Sequence, residues 1–258
     1  MNRLSSLIDK IAKQKVAVVG DLMLDRYIWG QATRISPEAP VPIIEIERCN
    51  AVPGGAANVV RNVVGLNARA CAFGCIGNDT EGKEMLELLQ ATNADCSSVF
   101  IDEKRESTVK TRILAANQQV IRLDSESREH ISKKLQKQIL QKLQEGIEQK
   151  QFSGIILEDY AKGIFNRSFM QEICDLACSS DIFISLDPHP SQLFHVNGLK
   201  LMTPNRSEAF ALAGLPYKAG INSPTQDTAL LNAAKKIQNK WQAELLLITL
   251  GAEGMALF

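Results

Sequence analysis

The sequence predicts an α/β fold, a central and mostly parallel sheet flanked by helices with a small second β-sheet standing off it as a lid. Three observations carry this prediction. Short runs rich in Val, Ile and Leu recur along the chain, as buried parallel strands require. Helical patterns lie between them, which implies right-handed crossovers and helices on both faces. Two extended stretches, 26–48 and 107–123, follow neither pattern.

The apolar runs are Val16 to Val19, Ala70 to Ile76, Ile155 to Leu157, Ile182 to Leu186, Leu199 to Met202 and Leu245 to Thr249. Most are too short and too continuously apolar for one-faced helices. In ISKKLQKQILQKLQEGIEQK the residues Ile131, Leu135, Ile139, Leu143 and Ile147 recur every fourth position, with lysines on the opposite, solvated face. The first unusual stretch follows KVAVV directly and reads GDLMLDRYIWGQATRISPEAPVPI, extended pieces broken by Pro37, Pro40 and Pro42. The second, STVKTRILAANQQVIRL, alternates as strands do. Together they suit a lid.

A chain of 258 residues, 45% of them hydrophobic, buries a substantial core, and its length allows one large domain or two small ones. Lys plus Arg and Asp plus Glu balance at 29 each, so no global field draws nucleic acid or an anionic membrane surface, and a small-molecule partner is expected. No run of 18 apolar residues and no signal-peptide core is present, which predicts a cytoplasmic protein. The six cysteines fit that compartment. Cys71 and Cys75, like Cys174 and Cys178, are four apart without CxxC spacing or an adjoining His, and read as packing thiols.

In parallel sheets ligands bind beyond the carboxyl ends of the strands. The residues leaving the apolar runs there are Asp21, Glu158 with Asp159, Asp187, Asn205, and Thr249 with Gly251. Any one of them could be an ordinary helix cap; their convergence on one edge points to a polar site. The segment Pro53-Gly54-Gly55-Ala56-Ala57-Asn58 offers glycines for close backbone approach and an amide in a helix's first turn, which suits a polyol. The sequence Gly77 to Lys83 satisfies GxxxxGK but continues with Glu84 where a P-loop needs a hydroxyl for magnesium, so it reads as a turn opening a helix.

GD after the first strand, PGGAANVVRN, GNDTEG, DYAKG, TPNRSE and LITLGAEGM occur in the order seen in the ribokinase-like (PfkB) carbohydrate kinases, which the chain resembles throughout. GDLMLDRYIWG, RISPEAPVPI and NQQVIRLD are similar to the bacterial D-glycero-β-D-manno-heptose 7-phosphate kinases within that family. The resemblance implies a ribokinase-like fold, with 1–258 as one C-terminally incomplete kinase domain whose lid is formed by about 26–48 and 107–123. It also implies ATP-dependent phosphorylation of the anomeric hydroxyl of the heptose phosphate, with Mg2+, in building ADP-heptose for the lipopolysaccharide core. Asp21, Asn58 and the Gly54-Gly55 backbone would hold sugar hydroxyls, with Asp159 on the same side. Asp25, Lys110 and Arg112 would act from the lid, the cations toward the substrate's phosphate. Asn205, Arg206, Ser207 and Glu208 match the NxxE segment, with Glu208 organising Mg2+ indirectly, and Thr249, Gly251 and Gly254 match the nucleotide-binding TxGxxG run. A homodimer through the lid is implied as well.

Two departures qualify the match. The family's catalytic base is the Asp of a GAGD motif, which the 258 residues do not contain; it is expected beyond Phe258, so this chain alone is expected to show little or no turnover and to expose a sheet edge. His189 stands in Asp187-Pro-His-Pro where the heptose kinases usually have Asp-Pro-Lys-Gly. A PfkB kinase for another sugar or sugar phosphate is therefore one alternative, and a non-catalytic sugar-binding module a second.

Overall fold

The computed structural model describes residues 3–116, 118–192, 194–220 and 223–258. Helix α1 (Arg3–Ile11) leads into β1 (Lys15–Gly20). Strands β2 (Leu22–Ile35) and β3 (Pro42–Gly55) leave the body and return to it, followed by α2 (Ala56–Gly65), β4 (Arg69–Gly77), α3 (Thr80–Gln90) and β5 (Asp95–Asp102). A second excursion, β6 (Thr108–Ala115) and β7 (Gln118–Ser125), precedes α4 (Lys133–Glu148) and β8 (Gly154–Glu158). The chain continues through α5 (Arg167–Ser179), β9 (Phe183–Asp187), β10 (Leu201–Met202), α6 (Arg206–Leu212), α7 (Thr228–Trp241), β11 (Leu245–Thr249) and β12 (Met255–Leu257).

The main sheet runs β12-β11-β10-β9-β8-β1-β4-β5, with every pairing parallel except β11 with β12. Alternation along β1 places Ala17 and Val19 in one hydrophobic cluster and Val18 in another, so both faces are covered. The larger cluster includes Ile139, Leu143, Phe169, Ile173, Ile237 and Trp241 from α4, α5 and α7. The smaller includes Val60, Met85 and Leu89 from α2 and α3 together with Leu24 and Val109 at the foot of the second sheet. Each of the six predicted runs supplies a strand, although β9 begins one residue later, at Phe183, and β10 takes only Leu201–Met202 of its run. Two strands were not legible: β5, whose DCSSVFID alternates imperfectly, and β12, which has three residues.

The second sheet has the order β3-β2-β6-β7. It extends beyond the predicted 26–48 and 107–123. Strand β2 begins two residues after β1 ends, and β3 runs to Gly55 at the start of α2. The paired glycines thus close an edge strand. That position also tolerates Pro53, since an outward-facing N–H has no ladder partner to lose. Four of the predicted helical residues, Leu135, Ile139, Leu143 and Ile147, are buried on α4, and Ile131 is buried just before its cap, Ser132.

The GxxxxGK segment is a helix cap, as expected, and it also anchors the second sheet. Asp79 Oδ1 accepts the amide of Gly82 at 2.7 Å, and Oδ2 accepts that of Ser107 at 2.8 Å. Ser107 Oγ in turn accepts the amide of Gly77 at 2.9 Å. Replacing Asp79 by Ala removes a cap and strands the Ser107 amide, so it is expected to lower the unfolding free energy by about 2 kcal/mol. Urea titration of both proteins checks this; an unchanged midpoint would remove Asp79 from the joint.

Candidate functional site

The carboxyl edge of the parallel sheet collects the residues that the sequence places there. Glu158 pairs with Gly20 of β1 and with Asp187 of β9, and Asn205 bridges to Thr249. At its centre Asp21 is 4% exposed. Its Oδ2 accepts the amides of Tyr160 at 2.9 Å and Lys162 at 3.1 Å, and Oδ1 that of Ile164 at 3.2 Å. Burial raises its pKa, and the three amides oppose that rise by favouring the charged form. The carboxylate expected at a sugar hydroxyl thus fastens the loop after β8. Asp159, in that loop, accepts the amide of Ala161 at 2.8 Å and is likewise buried.

Asp25 is the acid that meets the glycines. A Cβ on Gly54 would lie 2.4 Å from Asp25 Oδ2, so only glycine admits the carboxylate at that distance. Gly55 has φ 54°, and a Cβ there would meet the carbonyl of Asp21 at 2.6 Å. Asp25 pairs with Arg112 Nη1 at 2.5 Å, and the guanidinium lies 5.3 Å from the centre of the Tyr27 ring. The register sets Asp25 beside Lys110 and Tyr27 beside Arg112 in parallel strands, so the four share a sheet face. Lys110 is pushed below the ordinary lysine pKa by burial and then by the neighbouring charge of Lys162. Asn58, in the first turn of α2, accepts a hydrogen bond from Arg61 at 2.7 Å through Oδ1.

On the other side of the edge, Asn205 and Glu208 form a capping box on α6. Asn205 Oδ1 accepts the Glu208 amide at 3.0 Å, and Glu208 Oε2 accepts that of Asn205 at 2.8 Å. Ser207 is exposed beside them. Arg206 is a correction. Its guanidinium turns away from this surface, donates to the carbonyls of Lys218 and Ala219, and pairs with Asp227 at 2.5 Å, both residues buried. It ties α6 to the cap of α7, because a buried guanidinium needs its donors filled from within the chain. Thr249 ends β11, and Gly251 and Gly254 bracket a single 3-10 turn before β12.

Two residues at this edge, Lys162 and Arg105, escaped the sequence reading. Lys162 sits in the Asp21 loop. Arg105 Nη2 donates to the Lys162 carbonyl at 2.8 Å, and its Nη1 to Cys75 Sγ at 2.8 Å. The DYAKG motif marked the loop, but nothing local marked Arg105, whose partners are 30 and 57 positions away. His189 accepts the Ser191 amide on Nδ1 at 3.2 Å, and burial holds its pKa below the usual value, so at neutral pH it presents no fixed charge. Burial leads the upward shift of three acids: Glu158 to about 8, Asp159 to about 7 and Asp187 to about 6. Glu158 Oε2 is buried without a hydrogen-bond partner. The described residues hold no group of three or more His, Cys, Asp or Glu side chains arranged to cage a metal ion.

A pH dependence follows for the ligand-free protein. Above the unfolded carboxylate range near pH 4 the folded chain binds more protons at Glu158, Asp159 and Asp187 than the unfolded chain does. That contribution to stability is full at acid pH and lost as pH rises through about 6 to 8. His189, with its lowered pKa, acts oppositely, but only up to about pH 6.5. Stability in urea is therefore expected to fall from about pH 7 to about 8.5, and Glu158→Gln to flatten the fall; a flat profile in the parent protein contradicts the assignment.

With this geometry in place, comparison with known proteins is informative. The sequence profile described as pfkB family carbohydrate kinase matches residues 13–258. The bifunctional protein HldE of Sulfurimonas denitrificans is 36% identical over 244 residues, covering 95% of this chain and 49% of that protein. HldE of Helicobacter pylori is 37% identical over 243 residues, covering 94% and 51%. The chain thus spans about half the length of these relatives. Arabidopsis thaliana ribokinase, solved with ribose and ATP, superposes with a TM-score of 0.68 at 17% identity, covering 95% of this chain and 75% of that one. The tetrameric inhibited form of Escherichia coli phosphofructokinase-2 gives 0.69 at 16% identity, covering 95% and 76%. The two structural likenesses establish a ribokinase-like α/β fold with its separate small sheet, and the family profile with the HldE relatives establishes that this chain belongs to the pfkB family of carbohydrate kinases.

Proposed function

We propose that the site transfers the terminal phosphoryl group of ATP to the anomeric hydroxyl of D-glycero-β-D-manno-heptose 7-phosphate, giving the 1,7-bisphosphate on the way to ADP-heptose. The observation that carries this reading is the face made by Asp25, Lys110 and Arg112 beside Gly54: a carboxylate for hydroxyls and cations for a phosphate, on one rigid sheet. The HldE relatives support the heptose assignment. Asp25, the Gly54-Gly55 backbone, the free amide hydrogens of Asn58 and Asp159 orient the sugar, and the small sheet acts as a lid that keeps water from taking the phosphoryl group. Asp21 serves this grip indirectly, by holding the loop that carries Asp159.

Asn205, Ser207, Glu208, Thr249, Gly251 and Gly254 take the nucleotide side. A Mg2+ ion bound with ATP would sit mainly on its phosphates, near Glu208 and Asp187, because Mg2+ keeps most of its waters and needs only one or two carboxylates. The unpartnered oxygen of Glu158 beside Asp187 fits a cation nearby. In the transfer the sugar oxygen forms a bond to phosphorus, the bond to ADP breaks, and the hydroxyl proton passes to a base. We assign no described carboxylate to that base. No GAGD aspartate occurs in these 258 residues. A cytoplasmic homodimer joined through the lid is part of the proposal, supported by the exposure of Ile46, Ile121 and Leu123 on it.

A second reading, a kinase for a different sugar or sugar phosphate, draws on His189, which is neutral and bonded to Ser191 where the heptose kinases usually carry lysine. A substrate panel with the full-length gene product decides between them. Heptose 7-phosphate is expected to give the highest kcat/KM, with Asp25→Asn raising KM at least about tenfold through a lost charged hydrogen bond. Faster turnover of fructose 6-phosphate or ribose would overturn the heptose assignment.

A further inference from the structure

The sequence reading gave Lys162 no role, and the reading above gives it none. Its surroundings are unusual for a lysine. Its side chain is 12% exposed and pairs at 2.5 Å with Glu126, 10% exposed, which immediately follows lid strand β7. The pair therefore spans the seam between the lid foot and the loop after β8. It is not needed to hold that loop. The backbone of Lys162 is already fixed, its amide on Asp21 Oδ2 and its carbonyl under Arg105. The residue before it, Ala161, is held at φ 55°, a left-handed conformation that costs a side-chain-bearing residue and persists only where surrounding bonds impose it.

The charges beside it point to an anion. Lys110, on the lid face that carries Asp25, is close enough for the charge of Lys162 to act on it after burial, and two ammonium groups repel each other. The carboxylates answering them are already engaged: Asp25 with Arg112, Asp124 with Arg122, and the second oxygen of Glu126 with Arg128. A dianion between lid and loop would relieve the repulsion and replace Glu126 as the partner of Lys162.

We propose that Lys162 is a phosphate-binding residue at the lid seam, specific for a phosphate monoester or the terminal phosphate of ATP, and that Glu126 is the counter-ion this phosphate displaces. The inference rests on the kinase reading. Its test is calorimetric titration of the full-length protein with three ligands: heptose 7-phosphate, the unphosphorylated heptose, and a non-hydrolysable ATP analogue with Mg2+. Lys162→Met is expected to weaken one phosphate ligand at least about tenfold and to leave the plain heptose unchanged, with Lys162→Arg restoring most of the loss. Loss confined to heptose 7-phosphate identifies the sugar's phosphate, and loss confined to the analogue identifies that of ATP. Glu126→Gln, which keeps the shape and removes the competitor, is expected to tighten the same ligand several-fold. Parent-like binding of both phosphate ligands by Lys162→Met overturns the inference while leaving the kinase reading intact. Should that variant not fold, failure of Glu126→Gln to tighten either ligand overturns it. A parent protein that binds none of the three overturns the kinase reading and this inference with it.

Discussion

One carboxylate holds three alternate amides: Asp21 accepts the N–H groups of Tyr160, Lys162 and Ile164. A loop buried at the edge of a sheet carries backbone donors that water cannot reach, and each needs a partner. Asp21 supplies them from the first residue after β1, between the two halves of the molecule. From that point β2 departs to form the small sheet, while the loop that Asp21 fastens carries Asp159 and Lys162. The foot of the small sheet, the loop after β8 and the main sheet thus share a single joint, and Arg105 closes it from the other side through the Lys162 carbonyl.

The small sheet is fastened by the same principle. Asp79 caps α3 and holds the Ser107 amide where β6 begins, so the second excursion starts from a fixed point just as the first does. Arg26 of β2 adds ion pairs with Glu81 and Glu84 of α3. Such half-exposed pairs contribute little each, and the apolar contacts of Leu24 and Val109 carry more of the joint. With its base so held, the face bearing Asp25, Lys110 and Arg112 keeps a set orientation over Gly54.

Much of this was legible in the sequence because it rests on local patterns. Continuous apolar runs gave the buried strands, fourfold spacing gave α4, and the prolines at 37, 40 and 42 marked the turn and start of an edge strand. The polar strand exits do lie along one edge of the sheet. What was not legible needed tertiary partners. Asp21 and Asp25 are both acids in GDLMLD, and only the fold shows the first caught by amides 139 to 143 positions away and the second resting on Gly54. Arg206 lies inside the NxxE motif, yet its side chain leaves the site for Asp227. Motif membership reports where the backbone goes; where each side chain points is decided by desolvation and by the donors within reach.

The claim that Asp21 is the joint is most directly tested by amide hydrogen exchange in Asp21→Ala. The amides of Tyr160, Lys162 and Ile164 are predicted to exchange about ten- to hundredfold faster, as loss of a charged acceptor requires, while amides of β1 and β8 keep their protection. Unchanged protection at those three residues would contradict the account.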